Sequence, residues 1–301
     1  MPKFIISLTT IPTRFGKIGP TLRDLLAQDV KVDEIRLNLA RHYRRFPGEV
    51  ISVPDLPEGV TVHWSDVDYG PATKVLPTVR DHRCEDVDIL FCDDDQPYDR
   101  GWAGRFLAAR RDHPEAAIAG QGYDLTSRKP GHRYDRSFER FPRAQKRVKG
   151  PGYRLWRTLT LTMHKPQGYV EEGYVDVLEG YRGALVRPAF FGPEVYEIPD
   201  VLWTVDDPWL SGHLESRGVP IWFMISGQTA RRPYGAHFSD RLSKFVYRDH
   251  GRLEADSACI NYYRARIHIW PGRMELPEEA PKVSLRHFFG AQVPFTVTEE
   301  G

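Results

Sequence analysis

An α/β fold built on a mostly parallel sheet, flanked by helices, is what this sequence predicts, and three observations predict it. Short apolar runs alternate with amphipathic segments from residue 3 to about residue 120, the pattern of strand, crossover helix and next strand. The run Val87-Asp88-Ile89-Leu90-Phe91-Cys92 is apolar on nearly every position, as a strand buried on both faces must be. That run ends in three consecutive carboxylates, Asp93-Asp94-Asp95, and open α/β sheets bind ligands outside the carboxyl ends of their strands.

Each element follows in order. Phe4 to Leu8 is an apolar run closed by Thr9-Thr10-Ile11-Pro12, a first strand entering a loop. Pro20 suits a first helical turn, and Leu22, Leu25 and Leu26 continue at helical spacing to about Gln28. Ile35, Leu37 and Leu39 alternate within a second strand, and Val60, Val62 and Trp64 within a third. Asp66 to Lys74 is a Gly-Pro loop leading to a helix with Val75, Leu76 and Val79. After the carboxylate-ending strand, Trp102 to Arg111 reads as a helix and Ala116 to Ala119 as a strand. Between Asp124 and Tyr169 the pattern is lost to Pro, Gly and basic residues, which indicates a long insertion of the kind that forms binding loops. Order returns over Tyr174 to Val186. Asp206 to Arg217 reads as a helix stopped by Gly218, and Val219 to Met224 as a last strand. The expected organisation is a catalytic domain over residues 1–226, with the insertion at about 124–170, and an extension over 227–301 that packs on it and holds one helical piece near Asp256 to Tyr263.

Bulk properties narrow the class. A chain of 301 residues can bury a substantial core, and 41% hydrophobic content is ordinary for a globular protein. A net charge of +1 gives no general attraction to nucleic acid. Cys84, Cys92 and Cys259 are odd in number and widely spaced, which argues against a disulfide framework or a structural zinc. With Met1-Pro2-Lys3 leading straight into a strand and no long apolar stretch, the expectation is a cytoplasmic protein, with room for peripheral membrane contact.

The chemistry concentrates in the acids. Three adjacent carboxylates repel one another and lose hydration at a strand end, so a compensating cation is expected. Mg²⁺ or Mn²⁺ suits carboxylate oxygen and leaves positions for phosphate. A second acidic pair, Asp206-Asp207, opens a helix, where it serves either as cap and dipole partner or as a catalytic acid-base group.

In the order and spacing of four segments the chain resembles the glycosyltransferases of the GT-A fold, in particular the inverting, family-2-like transferases with an Asp-x-Asp motif. Those segments are Ile5-Ile6-Ser7-Leu8-Thr9-Thr10-Ile11-Pro12, Asp68-Tyr69-Gly70-Pro71-Ala72-Thr73-Lys74, Asp93-Asp94-Asp95, and Trp203-Thr204-Val205-Asp206-Asp207-Pro208-Trp209-Leu210. The resemblance runs from Lys3 to about Met224. It implies a hexosyltransferase-like enzyme that moves a sugar from a nucleoside-diphosphate donor, with UDP the expected carrier, to a hydroxyl of a saccharide or glycolipid acceptor such as a surface polysaccharide. It further implies that Asp95 ligates Mn²⁺ or Mg²⁺, with Asp93 on the metal or the ribose and His237 as a further ligand. Thr10, Arg14, Asp68, Lys74 and Asp94 would contact the nucleotide. Asp207, with Asp206 beside it, would be the general base, and Trp203 and Trp209 an acceptor platform.

Rival functions fit less well. A phosphohydrolase with an aspartate nucleophile would carry its acids on the first strand. A sugar-phosphate nucleotidyltransferase would want a Gly- and Arg/Lys-rich loop where Thr9 to Arg14 stands. The phosphate-loop motif is absent, and Gly120-Gln121-Gly122 is too short for a dinucleotide fingerprint. A non-catalytic carbohydrate-binding protein would leave both acidic clusters without a role.

Overall fold

The computed structural model describes residues 2–48, 51–52, 55–125, 140–146, 150, 168–225 and 252–270, with isolated positions 152, 155, 158, 159 and 234. Its centre is an eight-stranded sheet in the order β3-β2-β1-β4-β11-β5-β12-β9. The strands are β1 (Lys3–Thr9), β2 (Glu34–Ala40), β3 (Val60–Ser65), β4 (Val87–Cys92), β5 (Ala117–Ala119), β9 (Gly173–Val175), β11 (Ala184–Val186) and β12 (Ile221–Phe223). Four short strands, β6 (Gly122–Tyr123), β7 (Gln145–Lys146), β8 (Tyr169–Glu171) and β10 (Val177–Leu178), form two separate pairs, β6 with β10 and β7 with β8. The sheet is mostly parallel, as expected: β3, β2, β1 and β4 all run one way, and β12 runs with β5. It departs from a pure parallel sheet at β11, which inserts antiparallel between β4 and β5, and at β9, antiparallel on the far edge. The stretch expected only as renewed order over Tyr174 to Val186 is therefore three short strands joined by tight turns.

Alternation along β1 and β4 fills both faces. Ile5, Ile89 and Phe91 pack beneath α2 (Leu76–Asp81), α4 (Asp207–Ser216) and α5 (Arg252–Arg266). Ile6, Leu8, Leu90 and Cys92 point the other way, against Leu22 and Leu25 of α1 (Gly19–Leu26) and Trp102 and Phe106 of α3 (Trp102–Asp112). Two apolar faces on one central strand explain why its sequence shows no polar alternation. On α5, Tyr263 donates its hydroxyl to the carbonyl of Trp209 at 2.7 Å, which fixes this helix on α4. Among the described residues, no helix is long and apolar enough to cross a membrane.

The chain order reverses direction across the sheet at β1, which has β2 on one side and β4 on the other. A crevice opens at such a switch point because the following connections depart to opposite faces. The loops after β1 and β4 both start there, and both carry residues singled out in the sequence.

His213 on α4 is buried between the rings of Trp209 and Tyr263, with centroids 4.6 and 5.7 Å away. Burial pushes its pKa down from 6.5 to about 4, with Glu194 opposing and Arg217 reinforcing the shift. A group that charges more readily in the unfolded chain contributes stability above pH 6.5 and loses it as pH falls towards 4. The wild type is expected to lose roughly 3 kcal/mol over that interval through this residue, a loss absent from His213→Phe. Urea unfolding of both proteins at pH 7 and pH 4 checks it; equal pH dependence would remove His213 from the account.

Candidate active site

A cleft of about 470 Å³ opens at the carboxyl ends of β1 and β4. Thr9 lines it from the end of β1, Thr10 and Arg14 from the loop after β1, Asp93 to Gln96 from the loop after β4, and Asp68, Gly70 and Lys74 from the turn before α2. Trp203, Asp206 and Asp207 enter from the segment that starts α4. The two acidic clusters, far apart in sequence, therefore share one cavity.

The strand-end triad divides its work. Asp94 turns inward, where it accepts hydrogen bonds from the Thr10 hydroxyl at 2.5 Å and the Arg14 guanidinium at 2.8 Å. The Thr21 hydroxyl donates to its carbonyl at 2.8 Å. Burial pushes its carboxyl up to about 6 against the pull of Arg14 and Thr10. Expected from the resemblance as nucleotide contacts, Thr10, Arg14 and Asp94 together brace the loop after β1 onto the loop after β4. Asp93 and Asp95, on either side of Asp94, remain partly exposed in the cleft, 35% and 19% of their side chains. Gln96 donates to Asp95 at 2.9 Å, and Arg14 lies 3.7 Å from its other oxygen.

Lys74 joins the clusters. Its ammonium lies 2.7 Å from Asp93 Oδ1 and 2.7 Å from Asp206 Oδ2 while only 5% of the side chain is exposed. Burial alone would lower its pKa; Asp206, Asp93 and Asp207 together raise it well above the ordinary value. The lysine backbone is fixed from below by a buried polar network. Ser7 of β1 donates to the Lys74 carbonyl at 2.6 Å, and Asn38 of β2 donates to Ser7 and to Thr78 of α2, each at 3.0 Å. Above it, Gly180 leaves the space a side chain would take: a Cβ there would stand 2.8 Å from Lys74 Nζ and 2.9 Å from the Phe91 ring.

Asp207 is the first residue of α4, and one of its oxygens accepts the Gly180 N–H at 2.9 Å. Asp68 accepts the backbone N–H groups of Arg44 and Gly70, each at 2.8 Å, while burial pushes its carboxyl up. Gly70 adopts φ +59°, and a Cβ there would meet the Trp203 backbone and ring, so the turn in Asp68-Tyr69-Gly70-Pro71 closes only with glycine. Trp203 lines the cleft and donates its indole N–H to the Asp68 carbonyl at 2.9 Å. Trp209, expected beside it as a platform, instead points into the core at 1% exposure and donates to the Val195 carbonyl. Trp203 precedes α4, at the end of the 3-10 turn Asp200–Leu202, whereas Trp209 lies on α4 itself. His237 lies outside the described residues.

Sequence reasoning passed over Tyr123, Glu179, Tyr181 and Asp256, which complete the wall nearest Asp207. Burial raises the Tyr123 pKa, and Asp256, Asp207 and Glu179 add to the shift, which puts these acids around one phenol. No motif marks them. They reach the cleft through the β6–β10 pair and the packing of α5, both tertiary features.

Among the described residues, no three His, Cys, Asp or Glu side chains converge into a metal cage. Asp93 and Asp95 nonetheless fit a divalent ion that arrives with a diphosphate, because Mg²⁺ in nucleotide sites takes one or two carboxylates and completes its shell with phosphate and water.

Fold and site define a mixed α/β protein with an acid-lined cleft at the switch point of its sheet. No family model and no curated protein matches the chain. Among solved structures it is similar to the crystal structure of S. aureus TarS 1-349, with TM-score 0.37 and 14% identity over 75% of this chain and 58% of that one. A crystal structure of S. aureus TarS gives TM-score 0.34 and 10% identity over 77% of this chain and 36% of that one. The chain thus spans well under two thirds of the length of either neighbour.

Gly180→Ala is expected to destabilise the fold by about 1–3 kcal/mol, since Lys74 is tied at its ammonium and the Phe91 ring is buried. An unchanged urea midpoint would mean that the lysine has room to move.

Proposed function

We propose that this chain is a metal-dependent glycosyltransferase that moves a sugar from a nucleoside-diphosphate donor, UDP first among the carriers, to a hydroxyl of a saccharide or glycolipid, with inversion. The single observation supporting this reading most is that strand-end acids and helix-start acids face one cleft across one lysine. A donor needs charge compensation at its diphosphate, and an acceptor hydroxyl needs a base a sugar's width away.

In this reading Asp95, with Asp93, would hold Mn²⁺ or Mg²⁺, and the ion would supply positive charge where the nucleoside diphosphate departs. Asp68 and the Asp68–Tyr69–Gly70 turn face the nucleoside. Asp207 takes the acceptor proton as the hydroxyl oxygen attacks the anomeric carbon. Its hydrogen bond from Gly180 fixes one oxygen at the start of α4. Asp206 is the weaker base candidate because its oxygen is paired with Lys74. Trp203 borders the same wall with 4% of its surface exposed, so it offers a sugar no more than a narrow apolar edge.

Calorimetry with UDP, GDP, CDP and dTDP, with and without Mn²⁺, tests the reading; tight binding of one diphosphate only with the metal is expected. Asp95→Ala should abolish that metal-dependent gain, and equal affinity would exclude its assigned role. Asp207→Asn should bind the donor like the wild type yet lower release of nucleoside diphosphate in the presence of saccharide acceptors by about 10²- to 10⁴-fold. Normal turnover in that variant would place the base elsewhere.

A further inference from the structure

The resemblance implies a nucleotide contact for Lys74, but its ammonium is engaged by both acidic clusters of the protein itself. Its ammonium is held in the wall of the cleft, equidistant at 2.7 Å from Asp93 and Asp206. Its backbone is tied to Ser7, and its tip is confined by Gly180 and Phe91. The two partners differ in one respect. Asp93 is 35% exposed to the cleft, whereas Asp206 is 2% exposed. A buried ammonium tolerates the loss of one counter-charge only if another remains in contact.

We infer that Lys74 is a positioning residue that couples the two halves of the cleft: a donor that draws Asp93 towards its diphosphate and accompanying cation leaves Lys74 to Asp206, so Asp206 sustains donor binding without touching the donor. This rests on the transferase reading. It also runs against simple electrostatics. A negative charge removed beside an anionic diphosphate ordinarily tightens binding. If Lys74 were itself a phosphate ligand, loss of Asp206 would release it towards the phosphate and tighten binding further. With Lys74 as the link, loss of the Asp206 charge leaves Asp93 as its carboxylate in direct contact, with Asp207 acting at longer range, and the donor must then compete for Asp93.

The sign of the effect decides. Calorimetry compares wild type, Asp206→Asn, Lys74→Met and the double variant, titrated with the Mn²⁺ complex of whichever of UDP, GDP, CDP or dTDP binds the wild type. Asp206→Asn is isosteric and retains an acceptor for Lys74, and a thermal melt verifies its fold. The expected result is at least tenfold weaker binding in Asp206→Asn, and no such weakening when Asp206→Asn is added to Lys74→Met. A merely structural lysine would lower the melting temperature without this non-additivity. Should Lys74→Met fail to fold, the direction of the Asp206→Asn change still decides. Equal or tighter binding by Asp206→Asn, with the wild type binding normally, overturns the coupling and leaves the transferase reading intact. Failure of the wild type to bind any of the four complexes overturns both.

Discussion

A lysine ammonium buried between two carboxylates from distant parts of the chain is the constraint on which the rest of this structure depends. Asp93 ends β4, Asp206 precedes α4, and Lys74 comes from the turn that enters α2. Removing one member of such a set strands a charge away from water, at a cost of about 3–5 kcal/mol, whereas the intact set contributes little to stability by itself. Its value lies in geometry. It requires that the turn before α2, the end of β4 and the start of α4 meet within hydrogen-bonding distance, and the hidden Ser7–Asn38–Thr78 network extends the same requirement down into β1 and β2. Polar side chains are costly to bury unless each finds a partner, and here they do, with buried Arg36 on the same side of β2 donating to Asn38 at 2.9 Å.

Much of the fold was legible in the residues, and the reasons are physical. β1, β2 and β4 bury one or both faces, so their apolar patterns stand out, and Leu22, Leu25, Val75, Leu76 and Val79 mark helices by spacing alone. What could not be read is the placement of β9, β10 and β11. Strands of two or three residues have no periodicity to detect, and the antiparallel seat of β11 between β4 and β5 depends on turns at Gly180 and Gly183. The end of α5 was likewise hidden, since its buried side, Ala255, Cys259 and Tyr263, is small and mixed in character.

The site was legible as a set of acids but not as a set of partners. Three consecutive aspartates raise the question of what compensates them, and a metal is one answer. Part of the compensation comes from the protein itself: Arg14 and Thr10 take Asp94, and Lys74 takes Asp93. None of these pairings follows from spacing, because each joins segments brought together only by the sheet. Trp203 and Trp209 make the same point. Six positions apart and chemically alike, both are buried, but only Trp203, which precedes α4, borders the cleft, while Trp209 on α4 packs in the core.

The strand order also bears on how the molecule is assembled during synthesis. β1 to β4 are contiguous in the chain and pair only with one another up to the edge that β11 later occupies. All of that half is synthesised before β11 is made, and it shares its core with Leu185 and Trp222, which come later. Lys74 and Asp93 both belong to that half, whereas Asp206 follows β11 in the chain. The β1–β4 side of the cleft is thus complete in the nascent chain before the residues of its opposite wall exist.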